Sequence, residues 1–317
     1  MKKYTFTEKK DTRSGFGAGM AELGKTNPNV VALCADLVAS LKLDAFIKDN
    51  PQRFIQCGIA EANMIGVSAG LALSGYIPYA TTFANFGSGR VYDQIRQSVA
   101  YSNTNVKICV SHAGLTLGED GATHQILEDL AMMRAMPEMT VINPCDFNQT
   151  KAATIAIADH NGPVYLRFGR PVVPVFTDAG QKFEIGKAWT VNEGKDVSIF
   201  AIGHLVWEAI LAGELLEKEG IDAEIINIHT IKPLDEQAIL QSVSKTRCAV
   251  TAEEHQLNGG LGDAVCQVLS RNLPLPVEMV GVNNSFGESG TPAQLMEKYG
   301  LNAQNIVNAV HTVLSRK

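Results

Sequence analysis

The chain has 317 residues, 45% of them hydrophobic, with 27 Lys and Arg against 33 Asp and Glu for a formal charge of −6. That apolar content supplies cores for one large domain or two ordinary ones, and the scattered, net acidic charge excludes a face built to follow a nucleic-acid backbone. No apolar run reaches the roughly 18 to 20 residues that span a bilayer, and the opening MKKYTFTEKKDTRSG lacks the apolar stretch of a secretory signal. A cytoplasmic protein with neither a nucleic-acid nor a membrane partner is therefore expected.

In chain order, short β-branched runs alternate with helical periods. VVALCAD, RFIQCG, YIPYATTF, NVKICVSH, TVINPC and VYLRF are separated by segments such as EANMIGVSAGLAL, RVYDQIRQSVAY and QILEDLAMMRAM. The alternation predicts βαβ units and a mainly parallel sheet. Residues 171–195, rich in Pro, Gly and Asp, lose the rhythm and read as a linker or crossing hairpin. It resumes in VSIFAIG, VWEAILAGELLEKEG, AEIINI, DEQAILQSVSK, CAVTAEE, DAVCQVLSRN and VEMVGV, and ends in the helical NAQNIVNAVHTVLSR. The expected fold is α/β, with two domains that each hold a mainly parallel sheet flanked by helices. Cys34, Cys57, Cys109, Cys145, Cys248 and Cys266 stand far apart, without the CxxC spacing of a zinc site, and read as reduced thiols.

Open parallel sheets bind ligands beyond the carboxyl ends of their strands. Those ends carry Asp36, Glu61, Phe83 and Phe86, His112 with Asp120 and His124 in the loop after it, and Arg170. Glu61 opens a helical run, where an acid also complements the helix dipole. His112 could equally be a satisfied, half-buried histidine. Arg167 and Arg170 flank a strand end, where arginine binds an anion or pairs with a surface acid. GEDGATHQ at 118–125 is harder to dismiss, because a plain turn needs neither Glu119, Asp120 and His124 nor glycines that let backbone approach a ligand. HAGLTLGEDGATH does not have the spacing of a helical HExxH zinc motif, so no metal ligand is expected. In the second domain, the glycines of EEHQLNGGLGDAV could offer backbone N–H groups to an anion, although a tight strand-to-helix turn explains them as well.

GIAEANMIGVSAGLALSG, TFANF, SHAGLTLGEDGATHQILEDLAMMRAMP and EEHQLNGGLGDAV resemble, in that order, the C-terminal half of transketolase, and the resemblance covers nearly the whole chain. It implies a pyrimidine-binding domain over 1–178, a linker or hairpin over 179–195 and a transketolase C-terminal domain over 196–317. It implies thiamine diphosphate as cofactor. Glu61 then matches the acid that hydrogen-bonds the aminopyrimidine and favours its 4′-imino form, Phe86 the ring that stacks on it with Phe83 beside, and Asp36 an acid near the cofactor. His112 and Asp120 resemble residues that contact the ketose hydroxyls, and His112 is counted with Glu61 as catalytic. His124, Arg170, Arg13 and Ser40 resemble the lining of the channel toward a sugar phosphate.

The sequence departs from a full transketolase in lacking the GDG-type segment and downstream Asn that hold Mg2+ (or Ca2+) and the diphosphate. The resemblance therefore implies a separate N-terminal subunit that carries most of the metal site, in an α2β2 heterotetramer, with two-carbon ketol transfer between sugar phosphates as the activity. Other readings are the β subunit of a 2-oxo-acid dehydrogenase decarboxylase, a deoxyxylulose-phosphate-synthase-like enzyme, and a noncatalytic scaffold subunit.

Overall fold

The computed structural model describes residues 2–317. Fourteen strands run through them: β1 Lys9–Asp11, β2 Val30–Cys34, β3 Phe54–Gln56, β4 Ile77–Phe83, β5 Lys107–Ser111, β6 Thr140–Ile142, β7 Val164–Arg167, β8 Val172–Pro174, β9 Trp189–Asn192, β10 Val197–Ala201, β11 Ala223–Asn227, β12 Thr230–Lys232, β13 Ala249–Gln256 and β14 Val277–Val282. The first sheet has seven strands in the order β3-β2-β4-β5-β7-β6-β12, and the second has five in the order β14-β13-β10-β11-β9. All pairings in the first sheet are parallel except β12 on β6, and all in the second except β9 on β11.

Helices cover both faces of the first sheet, which is why VVALC is a continuous hydrophobic run. Val31 and Leu33 join Met64, Ile65, Val99 and Met133 in one core, while Val30 and Ala32 join Phe16, Met20, Phe46 and Ile157 in the other. A strand buried on both faces has no solvent side to leave polar.

Two small features fall outside the expected alternation. β1 and β8 form a two-stranded antiparallel ladder, with Lys10 opposite Val173. β12, which follows β11 of the second sheet, crosses to the first, where Thr230 pairs with Ile142. Of the stretch expected as linker or hairpin, Trp189–Asn192 is an edge strand of the second sheet. All six cysteines are free thiols. No described helix is long and apolar enough to cross a membrane.

Candidate active site

The register aligns the carboxyl ends of β3, β2, β4, β5 and β7 along one edge: Cys34 pairs with Gln56 and Thr81, Phe83 with Ser111, and Val110 with Arg167. Just beyond that edge the candidates follow one another. Asp36 is exposed, with a left-handed backbone (φ 59°) and an N–H that donates to Gln56 Oε1 at 2.9 Å. Ser40 is half-buried, and its carbonyl accepts from Arg13 Nη1 at 3.4 Å. Glu61 is the first residue of the helix Glu61–Leu73 and is buried; Arg90 Nη1 sits 3.1 Å from its Oε1.

Aromatic rings occupy the middle of the edge. Phe83 ends β4 with its ring stacked on His112, centroids 3.7 Å apart, and lies 6.0 Å from Phe86 in near-parallel orientation. Phe86 in turn meets His124 edge-on at 5.4 Å. His112 is buried with φ 58°, and its Nδ1 is 2.7 Å from Ser111 Oγ. Burial, reinforced by the positive charges of Arg13, Arg170 and His124, lowers its pKa to about 3. At neutral pH it is an uncharged imidazole that can donate at one nitrogen and accept at the other. With Nδ1 engaged by Ser111, Nε2 is the nitrogen left to meet a ligand.

Two arginines flank this group. Arg13 is partnered by Asp11 at 3.3 Å, and burial lowers its pKa. Arg170 donates to the Leu117 carbonyl and to Glu119 Oε2, the latter at 3.0 Å. The loop that carries Glu119 is tied down at several points. Gln125 Nε2 bonds the carbonyls of Leu115 at 2.9 Å and Glu288 at 3.0 Å, and Glu254 Oε1 accepts from Thr116 N at 2.6 Å. Glu254 and Glu288 belong to the second half of the chain, so that half holds the loop in place. Asp120 is exposed within it.

Arg167 ends β7, but its side chain turns into the interior rather than toward the ligand edge. Its Nε is 2.8 Å from Asp129 Oδ2, and its Nη2 bonds the Glu254 carbonyl at 2.9 Å, all within the interior. It is a buried strut between the halves. The glycine turn of EEHQLNGGLG also has an internal explanation. Leu261 N and Gly262 N donate to the Glu253 carboxylate at 2.7 and 2.8 Å, and a Cβ on Gly260 would stand 1.9 Å from Glu253 Oε2. The anion these N–H groups bind is the chain's own. Burial lifts Glu253 to about 7 against those bonds.

Comparison with known proteins decides what this arrangement belongs to. The family description "Transketolase, pyrimidine binding domain" matches residues 8–175 and "Transketolase, C-terminal domain" matches residues 186–306. The chain belongs to the transketolase family.

A 6-deoxy-6-sulfo-D-fructose transketolase subunit from Clostridium sp. (strain MSTE9) is 46% identical over 94% of this chain and 92% of its own length. A putative transketolase C-terminal section from Methanocaldococcus jannaschii is 44% identical over 95% of both chains. A solved structure described as a split gene transketolase, inactive beta4 tetramer, has a TM-score of 0.91 and 46% identity, covering 96% of this chain and 98% of that one. The chain is thus a transketolase-family subunit similar in length to split ones, and it spans about half of the human transketolase, at 36% identity.

The transketolase pyrimidine domain implies thiamine diphosphate as cofactor, and the residues present suit its ring end. Glu61 is a buried carboxylate whose partner is a half-exposed arginine, beside the half-buried ring of Phe86. A flat heterocycle with a basic nitrogen fits that pair. Among the described residues no group of three or more His, Cys, Asp and Glu side chains is placed to hold a metal ion. Sequence reading missed Arg90, Gln125 and Glu254. Gln125 stood inside the highlighted loop but looked like one more polar side chain, and the reach of Arg90 and Glu254 depends on the fold.

Proposed function

We propose that this chain is the C-terminal subunit of a split transketolase that moves a two-carbon ketol unit from a ketose to an aldose, both carrying a terminal anion, in complex with an N-terminal subunit. The carrying observation is the convergence of Glu61, Phe86, His112, His124, Arg13 and Arg170 on one sheet edge, coupled by the Phe83–His112 and Phe86–His124 ring contacts. When bound, thiamine diphosphate supplies the electron sink that allows a carbon–carbon bond next to a carbonyl to break. The chain's own residues do the rest. Glu61 shares a proton with the ring nitrogen of the aminopyrimidine, in a site dry enough to make that sharing strong. Phe86, with Phe83 behind it, fixes the plane of the ring. Neutral His112 hydrogen-bonds a ketose hydroxyl through Nε2, with Asp120 on a further hydroxyl. Arg170, Arg13, His124 and Ser40 receive the terminal phosphate or sulfonate, displacing Glu119 from Arg170 as they do.

Asp36 and an exposed ridge adjoin the partner in this reading. Ile59, Leu73 and Tyr101 are exposed, and the helix Glu61–Leu73 leaves Ala62, Gly66 and Gly70 open to solvent between them. Ile59 and Leu73, once fully covered, contribute roughly 1.5–3 kcal/mol each. The ridge begins beside Glu61, so a subunit seated on it would close the cofactor site and bring the diphosphate and Mg2+ ligands that the reading assigns to it.

Native capture of the chain from its own cells tests this, with intact-complex mass spectrometry and quantitation of thiamine diphosphate in the eluate. A second chain with cofactor supports the reading, and ketose phosphates and 6-deoxy-6-sulfofructose can then be compared as donors. Glu61→Ala should abolish turnover in that complex while leaving it assembled. Recovery of the chain alone and cofactor-free would favour a noncatalytic role.

A further inference from the structure

Arg90 lies in the turn 84–91 that leads out of β4. Its guanidinium makes two contacts at once. Nη1 is 3.1 Å from Glu61 Oε1, and the guanidinium carbon lies 4.2 Å from the centroid of the Phe86 ring. The arginine side chain is 51% exposed while that of Glu61 is 5% exposed, so the arginine can return to water at little cost. The carboxylate cannot.

A guanidinium is flat, cationic and edged with paired N–H donors, which suits it both to a carboxylate and to an aromatic face. An aminopyrimidine offers the same combination, a flat ring with an amino group beside a basic nitrogen. We infer that Arg90 holds the place of the cofactor's aminopyrimidine on Glu61 and Phe86, and that guanidinium and ring compete for these two side chains. The inference rests on the thiamine diphosphate reading above.

This makes Arg90 a specificity-determining residue of the ring site. A flat ligand that only stacks on Phe86 leaves the ion pair intact and gains little. A ligand that also engages Glu61 replaces both contacts of the arginine and keeps the carboxylate paired throughout. A buried carboxylate without a partner is strongly unfavourable, so the exchange, rather than simple opening, is the route that keeps Glu61 satisfied. Were Arg90 instead a direct support for the bound ring, its removal would weaken binding. The two roles predict opposite signs.

The test is calorimetric titration of the full chain with the aminopyrimidine fragment of thiamine, comparing wild type, Arg90→Ala and Arg90→Lys. Arg90→Ala should bind about tenfold tighter, the combined effect of losing a half-exposed ion pair and a cation–π contact as competitors. Arg90→Lys should fall between, because an ammonium keeps the charge but not the planar stack. Salt should tighten binding to wild type by screening the ion pair and leave Arg90→Ala unmoved. The melting temperature of Arg90→Ala should rise more on adding the fragment than that of wild type. Equal or weaker binding by Arg90→Ala, or no binding by either protein, overturns the inference. If Arg90→Ala does not fold, the order of wild type and Arg90→Lys decides in the same way. The thiamine reading is judged separately, by cofactor held in the assembled complex: cofactor there with no effect of Arg90→Ala here removes only the role given to Arg90.

Discussion

His112→Asn should flatten the acid limb of the stability profile. His112 stands at φ 58°, a backbone region that asparagine tolerates better than most residues, so the substitution keeps the local chain path. What it removes is a buried imidazole lowered from 6.5 to about 3, chiefly by burial and then by the charges of Arg13, Arg170 and His124. Above about pH 6.5 the group is neutral in both folded and unfolded chains and contributes no slope. As the pH falls below that value the unfolded chain takes up the proton and the folded one does not, so stability is lost until the pH reaches the folded value. Between about pH 7.5 and pH 5 the proton uptake by the unfolded chain amounts to about 2 kcal/mol. His229 and His255, lowered by burial to about 4, slope in the same direction in both proteins, so the difference isolates His112.

Urea unfolding followed by circular dichroism across that range, with slopes compared so that only the midpoints carry the difference, measures it. The variant also loses the ring stack on Phe83 and the bond to Ser111, a cost that does not vary with pH. The expected result is a variant less stable than wild type at pH 7.5 by an amount that shrinks by about 2 kcal/mol on going to pH 5. A constant offset over the whole range would mean that His112 is not held neutral by the fold, and the hydrogen-bonding role given to it would lose its physical basis.

Phe86→Ala should weaken thiamine diphosphate binding by the assembled complex by about 1 kcal/mol or more, from lost stacking and burial; an unchanged affinity in a direct titration would remove the ring from the site. Arg170→Ala should raise KM for anionic acceptors more than for uncharged analogues, because it deletes a charge-assisted contact, and equal losses on both would leave the arginine as a tie for the Leu117 carbonyl. Arg167→Met should cost about 3–5 kcal/mol in unfolding free energy by leaving the Asp129 carboxylate in the interior without its counter-charge, held only by the Tyr165 hydroxyl, and the double variant Arg167→Met/Asp129→Leu should recover much of it. A double variant no more stable than the single one would refute the stranded-charge account.

The parallel strands were legible because a strand buried on both faces writes an unbroken apolar run, as VVALC does. Short antiparallel strands were not. β1, β8 and β12 have three residues each, and what makes them strands is the partner they find, in β12 across the domain boundary. The helix Thr12–Thr26 was also passed over, although Asp11 caps it by accepting from Ser14 N. Its glycines depress helix propensity, yet Gly15 and Gly19 are where the helix lies against Phe147–Ala156: a Cβ on them would stand 2.3 Å from the Phe147 carbonyl oxygen and 2.7 Å from Thr154. The residues that hide the helix are those that let it pack.

Glu61 and Glu253 mark where sequence stops distinguishing a site from a scaffold. Both acids adjoin a strand-to-helix turn, both are buried, and the turn after Glu253 has the more suggestive glycines. Once folded they part. Glu253 spends both oxygens on backbone N–H groups of its own chain, bonds that a ligand could take only by unwinding the turn at Leu261 and Gly262. Glu61 has as its ion-pair partner a side chain that is half in water and free to leave. A buried carboxylate satisfied by backbone is committed to the fold, whereas one held by a retractable arginine can exchange that partner for a ligand without a change in fold. That difference lies in the partner rather than in the acid, and for Glu61 the partner, Arg90, is 29 positions away along the chain.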